Sequence, residues 1–232
     1  MDRERIVVLS GAGVSAESGL RTFRDSDGLW EEYRIEDVAT PDAWRRDPGL
    51  VLRFYDLRRA QVLNAQPNAA HYAIAQLEQA FHVDVITQNI DDLHERAGST
   101  RVMHLHGEVL KARSTRDPLL ITPLNGPHLR LGDRCALGSQ LRPHIVWFGE
   151  EVPLIAEAAA LVAQAHRLII VGTSLQVYPA AGLVHYRPEG CPVHAIDPAE
   201  LPLRMSGLYH RKEKASVGMP ALAFELLGPN SA

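Results

Sequence analysis

Cysteine is almost missing from this 232-residue chain: there are two, Cys135 and Cys191, far apart and in no CxxC pair. That excludes a disulfide framework and fits a reducing compartment. Long apolar runs are missing as well. No stretch approaches the length needed to cross a bilayer, and the opening MDRERIVVLSGAG carries neither the apolar stretch nor the cleavage site of an export signal. A cytoplasmic protein without a membrane partner is therefore expected. Basic runs are absent too. The 24 Lys and Arg residues are scattered among 28 Asp and Glu, for a formal net charge of −4, and leave no track for a phosphate backbone, so nucleic acid is not an expected partner. There is no repeat and no low-complexity segment. With 46% hydrophobic and 22% charged residues the composition is that of an ordinary globular enzyme, long enough to fold without cross-links as one large domain or a large domain with a small insertion.

What the chain does have is a rhythm. Ile6-Val7-Val8-Leu9 is short, β-branched and apolar, and breaks at Gly11-Ala12-Gly13. Such uninterrupted runs predict strands buried on both faces. Similar runs recur at 83–87, 144–148, 168–171 and 192–196, with a weaker one at 101–105, and helical patterns lie between them at 49–63, 68–80 and 154–165. The alternation predicts an α/β fold, a Rossmann-like parallel sheet with ligands at the carboxyl ends of its strands. Two segments break the rhythm. Residues 22–66 lack a strand, and 107–142 are polar and punctuated by Pro and Gly. They predict a smaller inserted module, helical in its first part and loop-rich in its second. The expected division is a single catalytic domain, with a large lobe at 1–21, 67–106 and 143–232 and a small lobe at 22–66 and 107–142.

Gly11-Ala12-Gly13-Val14-Ser15-Ala16 fits G-x-G-x-x-A directly after a strand. Glycines let a backbone turn and approach a diphosphate, and a following helix offers N–H donors, although small residues at a strand end also serve tight packing. Ser15 and Ser18 can cap the helix or bind phosphate. A dehydrogenase would place a second strand ending in Asp or Glu about 20 residues on. That distance lands in the charged, helical Glu31-Glu32-Tyr33-Arg34, which counts against hydride transfer.

Read on through Arg24, the segment becomes GAGVSAESGLRTFR, and downstream come Thr87-Gln88-Asn89-Ile90-Asp91, His106-Gly107, Val146-Trp147-Phe148-Gly149-Glu150 and Gly172-Thr173-Ser174. In this order and spacing the set resembles the sirtuin family of NAD-dependent deacylases, over nearly the whole chain. The resemblance implies cleavage of the nicotinamide–ribose bond of NAD, capture of the ribose by the acyl oxygen of a modified lysine, and a base that deprotonates a ribose hydroxyl. His106 stands at the family's catalytic position, and a neutral histidine suits that task near pH 7. A structural histidine is the plainer alternative, a role that His104, two residues earlier on the same strand face, can fill instead. Asn89 and Asp91 match residues that position the ribose and hold the nicotinamide carboxamide, with Asn89 counted among the catalytic pair and Asp91 also a plausible helix cap. Gln88 belongs to the same loop. Arg24 would grip diphosphate oxygens, and Phe23 would shield the reactive ribose carbon. Gly11, Ala12, Gly13, Ser15, Ala16, Gly172, Thr173 and Ser174 would line the dinucleotide. The family's usual asparagine after the next strand is absent, so Asp197 is the expected ribose partner, and Ala215, with Ser216, falls where a C-terminal loop meets adenine. Val146, Phe148, Gly149 and Glu150 would pair with an extended acyl-lysine peptide.

Tyr55 and Arg58 lie three apart on a helical stretch and so share a face. This Y-x-x-R resembles the signature of class III sirtuins, which implies acyl groups ending in a carboxylate (succinyl, malonyl or glutaryl), with acetyl also accepted. Arg53, Arg58 and Arg59 crowd the same helix, so solvated surface charge is the alternative. The pattern breaks after His106. The family commonly holds a structural zinc there with four cysteines, whereas this chain offers Ser114 and Cys135-Ala136-Leu137-Gly138, one ligand of four. No zinc is expected, and packing of Leu119, Leu120, Ile121 and Leu124 is expected to hold the lobe instead. Two other readings fit the same residues, mono-ADP-ribosyl transfer to a protein and an inactive NAD- or ADP-ribose-binding module.

Overall fold

Strand β1 (Arg5–Ser10) is buried along all but its first residue, and its alternation serves two cores at once. Val7 and Leu9 point into one apolar layer, and Ile6 and Val8 into the other. This is the signature of a central parallel strand, as the apolar run predicts. The computed structural model describes residues 3–20, 29–30 (backbone only) and 33–228. In it β1 pairs in parallel with β4 (His82–Thr87) on one side and β9 (Arg167–Val171) on the other. β5 (Val102–His104) extends the sheet beyond β4, and β10 (Val193–Ile196) and β11 (Leu208–Arg211) extend it beyond β9. The six-stranded order is β11-β10-β9-β1-β4-β5. Successive strands are thus added to one side of β1 and then, from β9 on, to the other, and the crevice at the carboxyl ends of β1 and β9 is where such sheets bind ligands. Helices α5 (Ala69–Gln76) and α8 (Ala215–Leu227) cover one face, while α7 (Ile155–Val162) and the 3₁₀ segment Ala180–Tyr186 cover the other. Two single turns, α1 (Ala12–Ala16) and α6 (Leu93–Arg96), follow β1 and β4.

The second unit holds α2 (Ile35–Val38), α3 (Pro41–Arg46) and the long α4 (Pro48–Asn64) against a three-stranded antiparallel sheet. Thr40 and Asp47 cap α3 and α4 through side-chain oxygens, with Pro41 and Pro48 at the first helical positions. The sheet runs β7 (Ile121–Pro123), β6 (Gly107–Ser114), β8 (Leu141–Ile145). A two-residue ribbon, β2 (Leu29–Trp30) with β3 (Tyr33–Arg34), precedes the helices.

Several expectations change here. Residues 144–148 do not enter the parallel sheet. The strand lies at Leu141–Ile145 and pairs antiparallel with β6, because an apolar run marks pairing but not the partner. The segment 22–66 does contain strand, in a ribbon too short to leave a periodicity. β11 and α8 escaped the reading: LYHR is half polar, and Gly218 and Pro220 interrupt the apolar pattern of α8. Leu119 and Ile121 do not hold the small lobe, being 86% and 41% exposed at the tip of the β6–β7 hairpin. The packing there is made by Leu52, Ala112, Leu129 and Leu141, with Leu124 at their edge. Among the described residues no helix is long and apolar enough to cross a membrane.

Candidate active site

The segments after β1, β4 and β9 meet at the β1/β9 crevice, and hydrogen bonds knit them. Gly11 N–H donates to Val171 O at 3.1 Å and Gly13 N–H to Gly172 O at 2.8 Å. A Cβ on Gly172, whose φ is +60°, would sit 2.3 Å from the Val14 nitrogen, and one on Gly11 would sit 2.5 Å from Thr173 Cβ. These glycines therefore let two loops touch each other, the packing role that small residues serve at strand ends. Gln88 N–H donates to Ser10 O, and its side-chain amide to Thr173 Oγ1 at 3.2 Å, tying the loop after β4 to the loop after β9.

Buried polar groups gather beneath this surface. Asn89 donates through Nδ2 to Gly11 O (3.1 Å) and Ser15 Oγ (3.0 Å). Asp91, one residue before the N-cap of α6, takes the Leu93 N–H at 3.2 Å in a local turn and hydrogen-bonds Ser15, while burial pushes its carboxyl above the ordinary aspartate range. Asn89 and Asp91 thus share Ser15. His106 Nδ1 donates to Gln88 O at 3.0 Å, which leaves the lone pair on Nε2. Burial holds its pKa below the usual histidine value, against the pull of that hydrogen bond. A half-buried neutral imidazole with an available nitrogen is a competent base. His104 does something different: Nδ1 bonds Asn89 O at 3.0 Å and Nε2 bonds Glu95 at 2.7 Å.

Val146 N–H donates to His106 O at 2.9 Å, so the 146–150 segment starts beside the base. Phe148 is exposed and Gly149 sits at φ +89°. Glu150 is not a bare carboxylate: Arg142 grips both its oxygens, and Arg113 and the Trp147 N–H add to them. Arg142 in turn lies 3.3 Å over the Trp147 ring centroid, and Trp147 Nε1 donates to Tyr55 Oη at 3.1 Å. Tyr55 and Arg58 are both buried on α4, whereas Arg53 is exposed. Arg59 is a buried strut of the fold, donating to Val109 O and Pro127 O. Arg58 donates to Gln61 at 2.8 Å. Burial is the main influence on Tyr55 and raises its pKa, so the phenol stays protonated throughout the neutral range.

Away from this centre, Asp197 caps its own turn through Ala199 N–H, and Ala215 opens α8 beside Ser216, which Glu17 holds through both N–H and Oγ. Ala12, Ala16 and Ser174 are half-buried on the crevice loops. Phe23 and Arg24 lie outside the described residues. Sequence reasoning passed over Trp147 and Glu95. Trp147 stood inside a motif already singled out, and Glu95 had no local signal, since its tie to His104 spans nine residues and two elements.

The donor set after His106 does not suit a tetrahedral zinc. Cys135 Sγ, Ser114 Oγ and Ser139 Oγ hydrogen-bond one another at 2.9–3.3 Å, and Ser114 also accepts from the N–H groups of Arg116 and Asp117. One thiol and two hydroxyls satisfy each other there. Among the described residues no group of three or more His, Cys, Asp or Glu could hold a metal ion.

The Sir2 family model matches residues 11–179. An NAD-dependent protein deacylase of Helicobacter pylori is 56% identical over 195 residues, covering 84% of this chain and 85% of that protein. One of Bacteroides thetaiotaomicron is 49% identical over 231 residues, covering 94% and 96%. The solved structure of a Sir2 homologue with NAD superposes with a TM-score of 0.85 at 41% identity, covering 97% of this chain and 90% of that one.

Proposed function

The chain belongs to the Sir2 family, and we propose that it is an NAD-dependent protein deacylase selective for lysine acyl groups that end in a carboxylate, with acetyl a weaker substrate. The deacylase reading rests on one arrangement. A neutral base, His106, stands beside the buried Asn89, Asp91, Ser15 cluster at the carboxyl ends of β1, β4 and β9. This donor set fits a dinucleotide at its ribose and carboxamide: Asn89 and Asp91 orient, Gln88 and Thr173 close the wall, and Gly11, Gly13 and Gly172 bring the loops together. When bound, NAD supplies a glycosidic bond that breaks to expose an electrophilic ribose carbon. His106 takes a proton at Nε2, and its Nδ1–H, fixed on Gln88 O, keeps the ring turned so that Nε2 is the nitrogen on offer. Val146, Phe148 and Gly149 would run beside an extended peptide, with backbone pairing giving affinity and little demand on sequence.

Acyl selectivity is supported by the burial of Tyr55 and Arg58 on one face of α4. A carboxylate carried into an apolar channel costs several kcal/mol if it finds no partner, and a guanidinium with a phenol offsets that by charge-assisted hydrogen bonds. Trp147 aids the second contact. Its indole N–H can only donate, so Tyr55 Oη accepts from it, and toward a ligand the phenol acts through its own hydrogen. The test is the ratio of kcat/KM for succinyl- and acetyl-lysine versions of one peptide. Arg58→Met should cut desuccinylation roughly 10- to 1,000-fold, as expected from losing a charged contact of about 1.5–4 kcal/mol, and change deacetylation much less. Tyr55→Phe should shift the ratio the same way by less. Equal losses on both substrates would mean that α4 merely supports the fold.

A further inference from the structure

His104 and His106 leave the same side of the chain at the end of β5, and each bonds a carbonyl of the loop after β4 through Nδ1. The carbonyls are consecutive, Asn89 for His104 and Gln88 for His106, both at 3.0 Å. The other nitrogens separate the two rings. His104 Nε2 meets the Glu95 carboxylate at 2.7 Å. A carbonyl oxygen and a carboxylate only accept hydrogen bonds, so both nitrogens of His104 face acceptors, an arrangement that favours the imidazolium. Two histidines two residues apart are thus given opposite surroundings, one between two acceptors and one with a single acceptor at Nδ1.

We propose that His104 is a positioning residue for deacylation, and that the Glu95–His104 ion pair clamps the Asn89 carbonyl and with it the loop that presents Asn89 and Asp91. The inference rests on His106 acting as the base of a deacylase. His104 touches no part of the Gly11–Ser15 wall itself. It acts through the Asn89 backbone, whose side chain reaches Gly11 O and Ser15, and through the neighbouring Gln88 carbonyl that orients His106. The charged and titratable groups around it are Glu95 and His94 from α6, Glu108 from β6 and Asp91 from the loop. Burial works against the cation, but the Glu95 bond and charge, the Asn89 carbonyl and Glu108 outweigh it, so His104 titrates above the ordinary histidine value. As pH rises through that point one nitrogen changes from donor to acceptor. It then faces an oxygen lone pair, and the clamp opens. Activity should therefore fall on the alkaline side, while His106, titrating below the ordinary value, sets the acid side.

The experiment follows nicotinamide release with an acyl-lysine peptide from pH 6 to 9.5, in wild type, Glu95→Gln and His104→Gln. Alongside it, ¹⁵N NMR of histidine-labelled protein reads the protonation of the ring, assigned by its absence in His104→Gln. Glu95→Gln removes the charge and offers an amide that accepts from the imidazolium or donates to the neutral ring, so the alkaline limb should move down by roughly one pH unit or more, or disappear. His104→Gln should lower kcat roughly 10- to 100-fold and remove the limb. A merely structural role would lower the yield of folded enzyme at every pH and leave the limb where it stands. An unmoved limb in Glu95→Gln, or a neutral His104 in wild type at pH 7, overturns the clamp. A wild type without turnover overturns the deacylase reading instead, whatever the charge on His104.

Discussion

At the scale of single residues the site is a division of labour between groups that look alike. His106 and His104 share a strand end, and Asn89 and Asp91 share Ser15, yet hydrogen-bond partners give each a separate state. His106 has to be neutral to accept a proton, and burial, the larger influence, places its pKa below 6.5. With His106 as the proposed base, the protonated ring accumulates only as pH falls through that lowered value, so kcat/KM should decline there on the acid side. His106→Ala should remove the acid limb together with roughly 10²–10⁴-fold of the rate, and NAD binding by calorimetry should change little. An alanine variant that kept most of its turnover would identify another group as the base.

At the scale of elements, the three-stranded sheet has an unusual task. It holds β6 and β8 in register beside His106, and its far end offers one thiol and two hydroxyls as donors. Hydrogen bonds among Ser114, Cys135 and Ser139 close the far end, and the apolar contacts of Leu52, Ala112, Leu129 and Leu141 fasten the sheet to α4. Arg59 adds a buried strut between α4 and the carbonyls of Val109 and Pro127. We propose that these internal contacts alone hold the lobe, in which case chelation removes nothing. Protein purified without chelator should carry no stoichiometric zinc by metal analysis, and EDTA should leave Tm unchanged. One tightly held zinc per chain, with a Tm that drops on chelation, would count against this account of the lobe.

At the scale of the molecule, acid should weaken the fold through histidines buried without a carboxylate. His71 and His94 lie edge to face at 4.9 Å between α5 and α6, both fully buried. Burial pushes His71 down to about 4, and the same cause, helped by the charges of His71 and His104, takes His94 well below its ordinary value. In the unfolded chain both would bind a proton near pH 6.5. Between 6.5 and the lowered folded values the unfolded state carries more protons. Stability present above pH 6.5 is thus lost as pH falls, by about 1.4 kcal/mol per pH unit for each such group. Urea unfolding at pH 7, 6 and 5 should show that decline, and His71→Gln should make it shallower. Equal midpoints at pH 7 and 5 would show that these rings do not govern acid stability.

Much of this architecture was legible without coordinates, because its causes are local. β1, β4, β9 and β10 announce themselves as largely apolar runs ending in turn residues, since a strand buried on both faces has few polar positions to offer. The residues of the G-x-G, T-Q-N-I-D, H-G and G-T-S segments could be named because their chemistry sits in consecutive positions. Tertiary structure alone decided whatever depends on a distant partner. It sent 141–145 to the antiparallel sheet, turned Leu119 and Ile121 to solvent, enclosed Glu150 between two arginines, and made Gly11 and Gly172 a contact between loops. It also gave two neighbouring histidines different partners, with the pKa of His104 raised and that of His106 lowered. A side chain's burial and its hydrogen-bond partners are set by atoms on other elements, and no spacing within one segment encodes them.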